Sequence, residues 1–276
     1  MVDGWGACPT CGLAPVSKNG RDRRGQQAYR CRRCGRRFTD LTGTPFSGYH
    51  SPPEIIALAV RYYLRYRLSL SDVAEWLAER GVQVHRATIG DWVQRFTPLS
   101  QAAARPHRRP VTTTWSVDET YVRVGRAWQY AYRAIDEQGQ VVDVFVSPHR
   151  AAEDAATFFR QSLASTGVRP RRVTTDRAGC YPAALAAVLP EAEHATGKLV
   201  QQRIERDHQH LKGRLRPMRG FKTTPTAQVI CAGHGFVRNL GAGFYRLRTK
   251  AMCPGGPPPP LAMWAWDALT DLPLAG

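Results

Sequence analysis

The chain contains no apolar run long enough to cross a bilayer, which excludes a membrane-spanning helix. Its opening, MVDGWGACPT, lacks the basic and then apolar start of a secretory signal. A cytoplasmic protein is expected. No internal repeat is visible. Acidic side chains are scarce: 22 Asp and Glu stand against 39 Lys and Arg, a net charge of +17 over 276 residues. That excess exceeds what solubility needs and points to a polyanionic partner. Nucleic acid comes first. An anionic membrane surface comes second, because no long basic amphipathic helix dominates the sequence.

What is present begins with cysteine. In a reducing compartment the seven cysteines are thiols or metal ligands rather than disulfides. Four of them form two pairs, Cys8-x2-Cys11 and Cys31-x2-Cys34, separated by nineteen residues. Each pair is a knuckle that offers two thiolates to one tetrahedral ion, and the spacer suits a hairpin. Gly12 and Gly35 follow the second cysteine of each pair and let the backbone turn. A closed four-cysteine site implies structural Zn²⁺; the alternative is a cluster of reduced thiols without metal. Arg21, Arg23, Arg24, Arg30, Arg32, Arg33, Arg36 and Arg37 crowd the same segment and suit phosphate binding. Residues 1–45 thus read as a zinc-ribbon-like module. Cys180, Cys231 and Cys253 have no partner in sequence.

Residues 50–98 read as a helical, helix-turn-helix domain. PPEIIALAVRYYLRYR opens it, and SLSDVAEWLAERG follows with an N-cap at Ser69 or Ser71 and a stop at Gly81. A helix near 86–96 turns Ile89, Trp92, Val93 and Phe96 inward. Arg86, Thr88, Gln94 and Arg95 are its exposed candidates for the major groove. A plain helical hairpin is the alternative. QAAARPHRRPVTTT (101–114) reads as a linker.

From residue 115 the pattern changes to strands. WSVDETYVRV, AWQYAYRAID and QVVDVFVS are β-prone runs, followed by a helix near 151–164, a strand at 171–175 and a helix near 181–189. Asp118 and Asp176 lie at strand ends, where carboxylates reach a sheet rim. On the basic stretch RIERDHQHLKGRLR, a helical phase of about 100° per residue puts Ile204, Leu211 and Leu215 on one packed stripe. Glu205, Lys212 and Arg216 share the flank beside it, with His208 between, so Glu205 can meet the rim. His208 and Lys212 are placed to hold phosphates. Asp207 falls on the other flank, as a surface salt-bridge partner of Arg206 or Arg214. Three convergent carboxylates are what two Mg²⁺ (or Mn²⁺) ions need for in-line phosphoryl transfer. After these, PGGPPPP (254–260) breaks any element, and residues 251–276 form a Pro-rich tail carrying Leu261, Trp264 and Leu269.

Five texts now combine: SLSDVAEWLAERGVQVHRATIGDWVQRFTP, WSVDETYVRV, WQYAYRAIDEQGQVVDVFVSPHRAAEDAATFF, TTDRAGCYPAAL and RIERDHQHLKGRLRPMRGFKT. Together they resemble the DDE transposases of bacterial insertion sequences, specifically the IS-six group. The resemblance implies an α/β fold, with a ribonuclease-H-like core and a mixed five-stranded sheet over 112–250. It implies Asp118, Asp176 and Glu205 as the metal-binding triad. It implies double-stranded DNA as partner, both terminal inverted repeats and target, with strand cleavage followed by 3′-OH transfer. A homodimer or higher oligomer and a nucleoid-associated location follow. A catalytically inactive DNA-binding regulator and a nuclease that cleaves without joining are the alternatives. The sequence departs from the group in two places. Only 28 residues separate Asp176 from Glu205, which leaves the intervening strand open, and Gln201–Gln202 stands where two Asn are common.

Overall fold

The computed structural model describes residues 7–23, 25–196 and 198–246, with side chains throughout except at 198–201. The Pro-rich tail with Leu261, Trp264 and Leu269, Cys253, Arg24 and the Gln201 side chain lie outside the described residues.

Three short strands, β1 (Val16–Arg21), β2 (Gln27–Cys31) and β3 (Arg37–Thr39), form an antiparallel sheet in chain order. The expected hairpin therefore lies between the cysteine pairs. Gly12 (φ 69°) and Gly35 (φ 72°) take the left-handed backbone that each knuckle requires. Among the described residues the buried apolar cluster here is Cys8, Cys31 and Phe38, with Ala28 also buried and Tyr29 stacked on Phe38 at 5.7 Å. So small a core cannot hold a fold without a further link.

Helices α1 (Pro53–Arg65), α2 (Leu70–Ala78) and α3 (Arg86–Ala104) follow. Ser69 is the N-cap of α2: its Oγ accepts from the Asp72 amide at 3.1 Å, and Asp72 returns the bond to the Ser69 amide at 2.7 Å. Gly81 (φ 77°) turns the chain toward α3. Ile89, Trp92, Val93 and Phe96 are buried as expected. The linker is not where the sequence suggests. Helix α3 continues through Pro98 to Ala104, because Thr97, Ser100 and Ala104 extend the same buried face. The apolar spacing outweighs the proline, whose ring sits on the exposed side.

The central sheet comprises β4 (Thr114–Val124), β5 (Ala127–Asp136), β6 (Val141–Ser147), β7 (Arg172–Thr175) and β8 (Glu193–Thr196), in the order β6-β5-β4-β7-β8. The first three strands form an antiparallel meander; β7 runs parallel to β4 and β8 parallel to β7. This is the expected mixed five-stranded sheet. The fifth strand survives the short interval before Glu205 as a four-residue strand. Helices α4 (Ala152–Thr166) and α5 (Cys180–Val188) cover one face, where Phe158, Phe159, Tyr181 and Leu185 meet Trp115, Val117 and Tyr132.

Helix α6 (Lys198–Leu215) and a last helix, α7 (Thr224–Gly241), complete the described chain. The sequence reading assigned no element to α7. It starts at an N-cap, Thr223, whose hydroxyl accepts from Thr226 N at 3.4 Å. A Cβ at Gly233 would lie 2.7 Å from Thr97 Cγ2 and 3.0 Å from Leu64 Cδ2, and one at Gly235 would lie 3.0 Å from Val141 Cγ1. These two glycines let α7 wedge between the helical triplet and the sheet. Residues of α1, α2, α3, α6, α7 and the sheet consequently form one hydrophobic core. The boundary expected between 98 and 112 is thus not a packing boundary.

Candidate active site

Strand register brings the first two predicted carboxylates together. Ser116 of β4 stands opposite Thr174 of β7. Two residues further, the same register sets Asp118 beside Asp176, just past the end of β7. Alternation along β4 sends the Glu119 side chain to the opposite side from Asp118. There Glu119 accepts a hydrogen bond from the Tyr181 hydroxyl of α5 and pairs with Arg150. Arg150 also reaches Asp176, Nη2 to Oδ2 at 3.3 Å. The Asp176 carboxylate accepts from Ala178 N at 2.9 Å, and that of Asp118 accepts from Glu119 N at 2.9 Å.

Asp118, Glu119 and Asp176 each offer a carboxylate oxygen, all within 4.8 Å of one another. One guanidinium faces three carboxylates, so the cluster is electronegative. Burial, with Glu119 and Asp176 beside it, pushes the Asp118 carboxyl up to about 7. Crowded carboxylates take up either a proton or a cation, and hard oxygen donors at this spacing fit a divalent ion such as Mg²⁺.

Helix α6 presses its stripe on this rim. Ile204 and Leu211 are buried and Leu215 packs against the core, as expected. Three predicted placements differ. His208 is not a surface phosphate contact: it is buried, with Nδ1 3.5 Å from Asp118 Oδ2. Burial, then Arg133 and Lys212, pulls its imidazole down to about 3, so it stays neutral against Asp118. Asp207 is not a surface salt bridge. It is 3% exposed and pairs with Arg133, which is fully buried on β5, and with Arg238 of α7. Arg214 instead points inward and donates Nε to the Tyr63 carbonyl at 2.8 Å. The phase argument missed this because it located flanks but not what packs over them.

Glu205 is exposed, one turn before His208, and is not among the converging carboxylates of the described residues. Glu119, Arg150 and Tyr181 are the site residues that sequence reasoning missed. The one sequence signal for Glu119 is its place next to Asp118, and Arg150 comes from a loop 31 positions on.

The cysteines converge as their spacing predicts. Cys8 Sγ lies 3.7 Å from Cys34 Sγ, and Cys11 Sγ 3.7 Å from Cys31 Sγ. A tetrahedral ion with Zn–S bonds of about 2.3 Å separates its sulfurs by about 3.8 Å. The amides of Thr10 and Arg33 donate to Cys8 and Cys31 sulfurs, each at 3.4 Å. Cys180 and Cys231 are free and buried elsewhere.

On α3, Arg86, Thr88 and Arg95 are exposed and Gln94 is half-buried. Lys212 and Arg216 are exposed near the end of α6. No helix among the described residues is long and apolar enough to cross a membrane.

A family profile described as a DDE domain matches residues 112–243. The chain is 36% identical over 166 residues to the transposase for the insertion sequence-like element IS431mec of Staphylococcus aureus, covering 58% of this chain and 74% of that protein. It is equally similar to the transposase for IS257 in transposon Tn4003 of the same species, at 36% over 166 residues. An uncharacterised protein in the transposable element ISH50 of Halobacterium salinarum is 35% identical over 121 residues, 43% of this chain and 37% of that one. Among solved structures, the catalytic core domain of BIV integrase is similar with TM-score 0.36 and 19% identity, over 58% of this chain and 98% of that one. A simian T-cell lymphotropic virus intasome gives TM-score 0.38 and 16% identity, over 55% of this chain and 59% of that one.

Proposed function

From the premise that the chain belongs to the DDE transposases of bacterial insertion sequences, in the IS-six group, we propose how its parts divide the work on DNA. The protein is a DNA transposase and a metal-dependent DNA-cleaving enzyme. The observation that carries the rest is the pairing of Asp118 and Asp176 by strand register at an electronegative rim.

Asp118 and Asp176 would hold the divalent cations, two Mg²⁺ or Mn²⁺ ions per site. Glu205 supplies the third carboxylate. Its exposed side chain stands about 60° around α6 from His208, which touches Asp118. Glu119 is the rival, since its oxygen already lies in the cluster. Against it, both its neighbours, Tyr181 and Arg150, engage it, and its side chain is only 4% exposed. When bound, the cations polarise the scissile phosphate and the attacking oxygen. The chain's own residues position and neutralise. Arg150 spans Glu119 and Asp176, His208 packs beside Asp118 with Nδ1 3.5 Å from Oδ2, and Lys212 and Arg216, at and just past the end of α6, offset phosphate charge.

The cysteine module holds structural Zn²⁺, supported by sulfur spacings of 3.7 Å and by a core too small to stand alone. With it, α3 reads the terminal inverted repeats through Arg86, Thr88, Gln94 and Arg95 in the major groove. The core is ribonuclease-H-like, in keeping with the strand order β6-β5-β4-β7-β8. It nicks the element's 3′ ends and directs the freed 3′-OH into target DNA. Holding two ends together requires at least a homodimer.

The test is purified protein with labelled DNA carrying the ends of the element, a target plasmid and Mg²⁺. Joined products are expected. Cleavage without joining would make it a nuclease; binding without chemistry, a regulator. Glu205→Gln should lower joining by a factor of about 10² or more, while Glu119→Gln keeps a measurable rate. The reverse ranking would move the third ligand to Glu119.

A further inference from the structure

Beyond Asp118, strand β4 runs on past the end of β7, and Phe221 takes the place beside it: Phe221 N donates to the Arg123 carbonyl and Gly125 N to the Phe221 carbonyl, each at 2.7 Å. A cleft of about 390 Å³ opens there between the β4–β5 hairpin and the end of α6. Its volume lies in the range of small-molecule and base pockets, about 300–1,000 Å³. Two aromatic side chains line it with unusual exposure, Trp128 at 64% and Tyr121 at 53%. Cross-strand pairing places Trp128 opposite Arg123, and Tyr121 opposite Tyr130 with ring centroids 5.2 Å apart. Opposite the hairpin stand Lys212, Arg216 and Arg219. No carboxylate lines the cleft, and Arg123, Lys212, Arg216 and Arg219 make no ion pair among the described residues. Arg219 also holds a left-handed backbone (φ 56°), a strained state for a residue other than glycine that recurs at ligand sites.

Exposed rings beside unpaired cations are what an unstacked nucleotide needs. A ring face takes a base of any sequence, and the cations take its phosphates. Tyr121 is two residues from Glu119 on the same face of β4, roughly 7 Å along the strand, and Glu119 belongs to the carboxylate cluster. Lys212 is one helical turn beyond His208. The cleft is therefore one or two nucleotides from the carboxylates.

We propose that the Trp128–Tyr121 cleft binds single-stranded DNA next to the scissile phosphate, stacking one unpaired base on Trp128 and holding its flanking phosphates through Lys212, Arg216 and Arg219. This rests on the transposase reading and adds the DNA form recognised. An intact duplex hides its base faces, so the cleft selects the frayed or nicked end over uncut DNA.

The test uses the full chain in Mg²⁺-free buffer and fluorescein-labelled (dT)₁₂, read by anisotropy across a salt series. Trp128→Ala should weaken binding about tenfold with an unchanged salt slope, and Trp128→Phe should restore most of the affinity. Lys212→Ala with Arg216→Ala should flatten the slope by about 1.4, the value for two single-strand phosphate contacts. The exposure of Trp128 makes folding of its variants expected, and a melting curve checks it. If Trp128→Ala binds (dT)₁₂ within twofold of wild type, the cleft does not stack a base. If unlabelled duplex displaces (dT)₁₂ as well as unlabelled (dT)₁₂ does, the single-strand assignment is wrong. If Trp128→Ala instead dissociates an oligomer in sedimentation, the cleft is a contact between copies. Cleavage of element-end DNA by the wild-type protein in Mg²⁺ is run in parallel; failure there sinks the transposase reading and leaves the single-strand result standing.

Discussion

Replacing Asp118 by Asn should make the metal-free protein more stable at alkaline pH while abolishing cleavage. The Asp118 carboxyl titrates at about 7 in the folded chain against an ordinary 3.8, through burial and the neighbouring Glu119 and Asp176. The folded state thus holds a proton that the unfolded chain releases. Stability linked to that proton is complete below about pH 4 and is lost as pH rises through about 7. Each pKa unit corresponds to about 1.36 kcal/mol, so the whole rise is worth about 4 kcal/mol. Water at the rim, where 19% of the side chain is exposed, screens part of it and leaves about 2 kcal/mol. Asparagine keeps the bond from the Glu119 amide and carries no charge. Urea unfolding in Mg²⁺-free buffer reads the effect. The stability of the variant minus that of wild type should grow by about 1–2 kcal/mol between pH 5 and pH 8. Added Mg²⁺ should then raise the wild-type midpoint and leave the variant unmoved. A difference that stays flat with pH, or equal stabilisation of both by Mg²⁺, would refute an electronegative cation site at this rim.

Three further outcomes follow from packing. Asp207→Ala strands the fully buried Arg133 without its partner and should cost about 3–5 kcal/mol in urea unfolding, whereas a surface pair would cost under about 1. Gly233→Ala drives a methyl into Thr97 and Leu64 and should destabilise the whole unit by about 1–3 kcal/mol in a single transition; two separated transitions would contradict a core shared by the helical triplet and the sheet. Cys31→Ser should lower zinc content, measured by mass spectrometry of the metal, from one ion per chain to near zero and weaken end binding, while the main melting transition stays; equal zinc in both proteins would reject the site.

The readable parts of the sequence were those with local causes. Ser69 and Asp72 cap α2 through bonds three residues apart, and the two CxxC knuckles turn at glycines beside them. The three β-prone runs carried their own alternation and turns. The linker expected over 101–114 was read from local composition, while the continuation of α3 to Ala104 is set by the face it buries on α7. Helix α7 itself was passed over. Its apolar stripe is interrupted by Gly233 and Gly235, and only the close approach of Thr97, Leu64 and Val141 explains why glycine belongs there.

The same division runs through the active site. By itself the sequence determined the chemistry on offer: a cationic surface, four thiols in two knuckles, and carboxylates beside β-prone runs. These depend on residue identity and near neighbours. Asp176 does follow the end of β7, but Asp118, expected at a strand end, lies within β4, whose alternating residues carry the strand on to Val124. Tertiary structure alone decided which groups meet. Register between β4 and β7 pairs Asp118 with Asp176 across 58 positions of chain, and α6 lays neutral His208 on Asp118. It also took Asp207 out of solvent to face Arg133, and it brought Arg150 and Tyr181 to Glu119. No periodicity encodes such contacts. Burial and charge at a residue are set by the elements stacked over it, and those come from distant parts of the chain.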